Sequence, residues 1–188
     1  YTGVSEGNIN SERLISMMNV VEDELVIEEK GLYSVEKFLM ARRLMYWQVY
    51  LHKTVLIAEY TIMNVLKRAK ELSLQGVDLF ATPALSFFLK NKVKFGDFES
   101  NPEVLHQFSM LDDYDISASL KVWINNDDFI LSYLSQSLVN RKLFRIEIQN
   151  EPFKSDMVDE VRNKVMNKFG LDKSEVDYFV INEKTTNY

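Results

Sequence analysis

SVEKFLMARRLMYWQVYLHKTVLIAEYTIMNVLKRAKEL, Ser34 to Leu72, contains neither glycine nor proline. Apolar residues recur at helical spacing along it: Val35, Phe38, Met45, Val49, Leu56, Met63 and Leu66. Ser34 suits an N-cap, Glu36 the first turn, and Lys67, Arg68 and Lys70 a C-terminus. The spacing predicts one long central helix, or two nearly continuous ones, since the run far exceeds the usual helix length.

The elements on either side are shorter. Asn10 or Ser11 can cap a helix carrying Leu14, Ile15, Met17, Met18 and Val21. ELVIEE alternates Leu25 and Ile27 against Glu24, Val26 and Glu28, as a short strand would, and Lys30-Gly31 closes it. After a break at Gly76, Thr82-Pro83 and Asn101-Pro102 each open a helix. Asp112 or Asp113 caps a third, and Asn125 to Asp128 separates it from FILSYLSQSLVN. Beyond Arg141, FRIEIQ alternates like a strand. Ser155 to Phe169 reads as an amphipathic helix stopped by Gly170, and Tyr178 to Ile181 as a second strand. The expected fold class is mainly helical α+β: a long central helix with a helical bundle and a small C-terminal βαβ unit. Boundaries are expected near Gly76 and Arg141.

Composition narrows the function. Apolar residues make up 46% and charged residues 27%, a globular mixture. A net charge of −6 argues against a nucleic-acid or membrane-surface partner, which needs a basic face, but leaves room for a local phosphate pocket. No cysteine is present, so thiolate catalysis, disulfides and cysteine metal sites are excluded. That composition fits a reducing cytoplasm. No run approaches a membrane span.

Chemistry concentrates in ARRLMYWQVYLHK, Ala41 to Lys53. Arg42, Tyr46 and Tyr50 are spaced i, i+4, i+8, and successive members are rotated by only ~40°, so all three can reach one neighbourhood. Arg42 and His52 interrupt the apolar seam. A guanidinium at such a place needs an anion, and its planar fork suits phosphate or carboxylate. Tyrosine hydroxyls add neutral donors, and their rings can flank a base. The same residues also read as a packed helix whose arginine pairs with one of 28 acidic residues. His52 reads equally as a hydrogen-bonded structural histidine, and Lys53 as solvated. His106 has no second His or Cys near it. Asp112, Asp113 and Asp115 serve as well for capping, and Asn125 to Asp128 lacks the glycine and glutamate of a calcium loop. Neither GxGxxG, a P-loop nor a nucleophile elbow occurs.

YTGVSEG, Tyr1 to Gly7, followed by EKFLMARRLMYWQVYLHKTVLIAE, Glu36 to Glu59, resembles the HD-domain phosphohydrolases, in particular their deoxynucleoside triphosphate triphosphohydrolase branch. The resemblance is good from Tyr1 to Leu72 and loose beyond. It implies a division into residues 1–75, the remainder of an HD-type domain, and 76–188, a helical and α/β accessory region. Enzymes of that family hold a divalent metal with a His, an adjacent His-Asp pair and a later Asp, and release triphosphate from a dNTP. Here His52 and His106 are the only histidines and no His-Asp dipeptide occurs. The resemblance therefore implies a C-terminal portion, without the metal ligands and inactive alone, of a metal-dependent and homo-oligomeric parent enzyme.

By resemblance, Arg42 contacts the substrate's phosphates and Tyr50 lies along the substrate. Tyr46 stands where relatives can have a histidine near the scissile phosphate. His52 and Lys53 resemble a pair that, in the family's animal relative, helps bind regulatory nucleotides between subunits. The competing reading is a non-catalytic helical module for oligomerisation or nucleotide sensing.

Overall fold

The computed structural model describes residues 8–184. YTGVSEG, part of the stretch carrying the family resemblance, lies outside the described residues. The chain divides into two compact units that meet in sequence at Leu56 and Ile57.

The first unit opens with α1, Ser11–Ser16. Asn10 caps it, its side-chain oxygen accepting the Arg13 N–H at 3.1 Å. The helix expected to carry on through Val21 stops there, because Met18–Val21 forms strand β1 and pairs antiparallel with β2, Glu24–Ile27. Val20 and Val21 are β-branched and suit a pleated surface, and a pairing partner lies only two residues beyond. Register runs from Met18 opposite Ile27 to Val21 opposite Glu24. That leaves Glu22 and Asp23 as a two-residue turn, both in the left-handed region at φ 52° and 63°. Such turns match the twist of the strands but ordinarily use Asn-Gly.

Gly31 then passes through a tight gap. A Cβ there would stand 2.9 Å from the Ile27 side chain and 3.1 Å from that of Met17. This close approach seats the hairpin against the start of α2, Leu32–Met45. Ser34 is therefore not a cap, since α2 begins two residues before it.

Of the two readings of the Ser34–Leu72 run, one long central helix or two nearly continuous ones, the structure has the second. Tyr46–Tyr50 forms a π turn, in which the Leu51 N–H donates to the Tyr46 carbonyl at 2.7 Å, five residues back. The helical run is interrupted at Leu51-His52, and α3 runs from Lys53 to Leu74. Nothing in the apolar periodicity betrays this, because both helices supply their own apolar faces.

The second unit packs around α3. Ile57, Thr61, Val65 and Ala69 are buried at four-residue intervals and form one face of the helix. The core around Val65 and Ala69 draws in α4 (Pro83–Lys90), α7 (Asp113–Trp123) and α8 (Phe129–Val139), with α9 (Ser155–Phe169) partly buried on it, while α6 (Pro102–Ser109) packs on α4 and α5 (Asp97–Ser100) on α6. Leu131 and Leu134 of α8 and Trp123 of α7 form the centre of this core. The Trp123 indole N–H donates to the Phe80 carbonyl at 2.9 Å, satisfying the one polar atom of a buried ring.

Cap chemistry follows the sequence closely here. Asn101 accepts from the Glu103 N–H, Asp112 and Asp115 form a reciprocal capping box, and Asp128 accepts from the Leu131 N–H. Gly170 ends α9 at φ 69°.

The C-terminal βαβ unit is corrected as well. Among the described residues its helix, α9, is present, but neither flanking segment joins a ladder. Phe144 of FRIEIQ stacks on Tyr133, at 6.3 Å and 11° between rings, in place of pairing with a strand. Glu175–Tyr178 is a 3₁₀ turn that buries Val176 and Tyr178. Alternation supplied an apolar face, and an aromatic cluster of Phe129, Tyr133, Phe144, Phe169 and Phe179 used that face against helices.

Candidate functional site

Arg42, Tyr46 and Tyr50 line one open pocket of about 280 Å³ in the first unit, with Ile9, Phe38, Ala41 and Met45. Arg42 comes from the last turn of α2, and the tyrosines bracket the π turn. The π turn has a direct effect on their arrangement. It holds more residues than the 3.6 of an α turn, so each residue rotates the chain less. Tyr50 is carried back towards Arg42, where a straight α-helix would swing it onward by another ~40°.

The Arg42 guanidinium lies 5.6 Å from the centre of the Tyr46 ring, and the Tyr46 and Tyr50 rings are 5.2 Å apart at 55°. A cation over an aromatic face is oriented without consuming its hydrogen-bond donors. Among the described residues, no carboxylate forms an ion pair with Arg42. Arg42 is exposed, whereas the seam predicted it to interrupt a buried stripe. The pocket therefore presents a positive fork, two phenol hydroxyls and an apolar floor of Phe38, Ala41 and Met45. That combination suits a ligand with one anionic and one flat apolar part.

His52 stands at the start of α3. Its Nδ1 accepts the Thr54 N–H at 3.2 Å, and its carbonyl accepts from Val55 and Leu56, so it caps α3. Lys53 is exposed at the first position of that helix. Neither lines the pocket with Arg42. His106 is exposed on α6, and Asp112, Asp115 and Asp128 are committed to caps. Among the described residues no three His, Cys, Asp or Glu side chains gather as a metal site would require. Ile9 is the pocket residue that sequence reading missed. It sits in a loop far along the chain from α2, and no periodicity links it to Arg42.

Elsewhere, the second unit holds a polar lock. Arg68 clasps Asp128 with two donors, Nε at 3.1 Å and Nη2 at 2.6 Å. Its guanidinium also lies 3.6 Å from Glu71, which accepts the Tyr178 hydroxyl. Burial pushes the Asp128 carboxyl up, but the Arg68 hydrogen bond, with that from the Leu131 N–H, outweighs it and holds the group below the usual carboxylate range. The Tyr178 hydroxyl is pushed well above the ordinary phenol value, first by burial and then by Glu71. All four groups are satisfied by one another, so this cluster ties the C-terminal segment to α3 and α8.

Residues 9–82 match the family described as the HD associated region. A crystal structure of a phosphohydrolase from Bacteroides thetaiotaomicron superposes with a TM-score of 0.91 and 51% identity, over 95% of this chain and 44% of that one. The chain is related to the HD-domain phosphohydrolases. The HD associated region contains every residue of the pocket. An uncharacterised protein of Bacillus subtilis, YwfO, is 35% identical over 145 residues, covering 77% of this chain and 31% of that protein. Another, MG461 of Mycoplasma genitalium, is 26% identical over 178 residues, covering 87% and 40%. The chain thus spans less than half the length of each of these relatives. Among the described residues, no helix is long and apolar enough to cross a membrane.

Proposed function

We propose that this chain is the C-terminal part of an HD-type, metal-dependent phosphohydrolase acting on dNTPs, and that its HD associated region supplies the helix that holds the nucleotide. The carrying observation is the pocket itself. Arg42, Tyr46 and Tyr50 converge on one open space, with the guanidinium unpaired among the described residues. Arg42 clamps phosphate charge, the tyrosine hydroxyls add neutral donors, and a tyrosine ring lies against the sugar or base. The 51% identity to a protein named phosphohydrolase supports the phosphoryl part of the reading.

The family's divalent metal finds no donor set among the described residues, so no step through a metal is assigned to this chain. Its part is binding and orientation. His52 and Lys53, exposed at the start of α3, are proposed to meet a regulatory nucleotide. The His52 Nε2 is the ring nitrogen left for it, because Nδ1 caps the helix.

Calorimetric titration of the chain with dGTP, without metal, tests the reading. Binding is expected, weakened at least about tenfold by Arg42→Ala, while the melting temperature stays within about 1 °C because an exposed side chain is removed. Unchanged affinity in that variant would overturn the clamp.

A further inference from the structure

The Arg42 pocket has a smaller neighbour. A cavity of about 30 Å³, where α1 and the residues before it meet the first turns of α2, is lined by Ile9, Asn10, Leu14, Ser34, Lys37 and Phe38. Ile9 and Phe38 line the larger pocket too, so the two cavities adjoin across that pair and form one groove within the first unit. Size separates what each can take. A water-sized group needs roughly 10 to 15 Å³, so the small cavity admits about two such groups and no ring. The larger, at about 280 Å³, is the one with room for a ring.

Donors make up the polar lining of the small cavity. The Asn10 side-chain oxygen already accepts the Arg13 N–H, which leaves its NH2 group for the cavity. Ser34, inside the first turn of α2, adds a hydroxyl. Lys37 adds an ammonium that forms no ion pair among the described residues. Among the described residues no Asp or Glu lines either cavity, although the chain carries 28 of them. A groove with two cations, neutral donors and no carboxylate suits a ligand with more than one negative group. Lys37 and Arg42 are five residues apart on α2, about 7.5 Å along the axis and about 140° round it, so they flank Phe38 from its two sides. Lysine's flexible four-carbon stem can lean across the ring between them.

Resting on the nucleotide reading of the larger pocket, we infer that Lys37, with the Ser34 hydroxyl, forms a second anion subsite for the far end of a polyphosphate chain. The nucleoside lies against the tyrosines, Arg42 holds the phosphate next to it, and the chain runs over Phe38 to Lys37. The small cavity takes phosphate oxygens and excludes the base, which fixes the direction of the ligand in the groove. Lys37 is thus a positioning residue that reads the number of phosphates.

Calorimetric titration of the whole 188-residue chain, without metal, with dGTP, dGMP and inorganic tripolyphosphate tests this. The wild type should bind dGTP at least about tenfold more tightly than dGMP. Lys37→Ala should remove that preference, weakening dGTP and tripolyphosphate at least about tenfold and leaving dGMP unchanged. Lys37→Arg keeps the charge and should keep the preference. Lys37 is exposed, so neither variant should move the melting temperature by more than about 1 °C. Equal affinity of the wild type for dGTP and dGMP would overturn the subsite. So would a Lys37→Ala variant that weakens both nucleotides alike, or neither. The nucleotide reading fails differently: if tripolyphosphate binds through Lys37 and dGTP binds no more tightly than it does, the subsite stands and the nucleoside pocket falls.

Discussion

The two tryptophans of the chain sit in opposite situations. Trp123, in the second unit, is 1% exposed, with its N–H satisfied by a backbone carbonyl. Trp47, in the first, is 57% exposed on the π turn. The contrast extends to their surroundings. The second unit gathers most of its buried apolar side chains into one cluster around Leu131 and Leu134 and neutralises its half-buried charges against one another, although Phe95, Met110 and Tyr114 stay exposed on its surface. The first leaves valines, leucines, aromatics and an arginine facing outward. A closed core with satisfied charges is built for stability. In the first unit, Arg42, without an ion pair among the described residues, lies beside exposed apolar surface, an arrangement open to a ligand.

The sharpest way to break that contrast is Leu134→Ala. It opens a cavity at a fully buried site, and should cost about 3 kcal/mol in urea denaturation followed by Trp123 fluorescence in a Trp47→Phe background. If Trp47 in the reciprocal background shifts by the same amount, the two units unfold as one and the division by stability fails.

Arg68→Ala should come next, at about 2 kcal/mol, because Asp128 and Glu71 are left half-buried without their cation. The sign of its pH dependence follows from Asp128. A carboxyl held below its unfolded value stabilises the fold above that value, ~3.9, and the contribution is lost as the pH falls through the folded one. Asp128→Asn should therefore differ most from wild type at neutral pH, with the gap closing below about pH 4. A gap that is constant with pH would mean the pair contributes shape and not charge.

In the first unit the expected effects are smaller, because fewer groups are buried. Gly31→Ala forces Ile27 and Met17 apart and should cost about 1 to 2 kcal/mol, read by Trp47. Smallest is the hairpin. Replacing Glu22-Asp23 by Asn-Gly relieves two left-handed non-glycine residues and should stabilise this unit by up to about 1 kcal/mol. A loss of stability there would show that the acidic turn makes contacts of its own.

Much of the second unit could be read from the chain, because its signals are local. Thr82-Pro83, Asn101-Pro102 and Asp112 mark helix starts through chemistry confined to three or four residues, and Gly170 marks a stop by tolerating a left-handed backbone. The strands expected at 144–149 and 178–181 do not form, for the opposite reason. Alternation reports only that one face is apolar, and whether that face meets another strand or the side of a helix depends on residues far away. Phe144 and Phe179 met Tyr133 and Phe169. In the first unit, periodicity places Met18 and Val21 on a helix, although the pairing that overrides it lies a two-residue turn further on.

By itself the sequence determined that Arg42, Tyr46 and Tyr50 share a helical neighbourhood, that apolar helices dominate, and that the run from Glu36 to Glu59 resembles the HD-domain phosphohydrolases. Those properties follow from residue type and spacing. Only the tertiary structure decided that the long helix breaks in a π turn, which brings Tyr50 back towards Arg42. It alone decided that Ile9 completes the pocket, that His52 is committed to capping α3, and that Arg68 is taken by Asp128. Each of these depends on which partner a group finds across the fold, and no spacing along one chain segment encodes that.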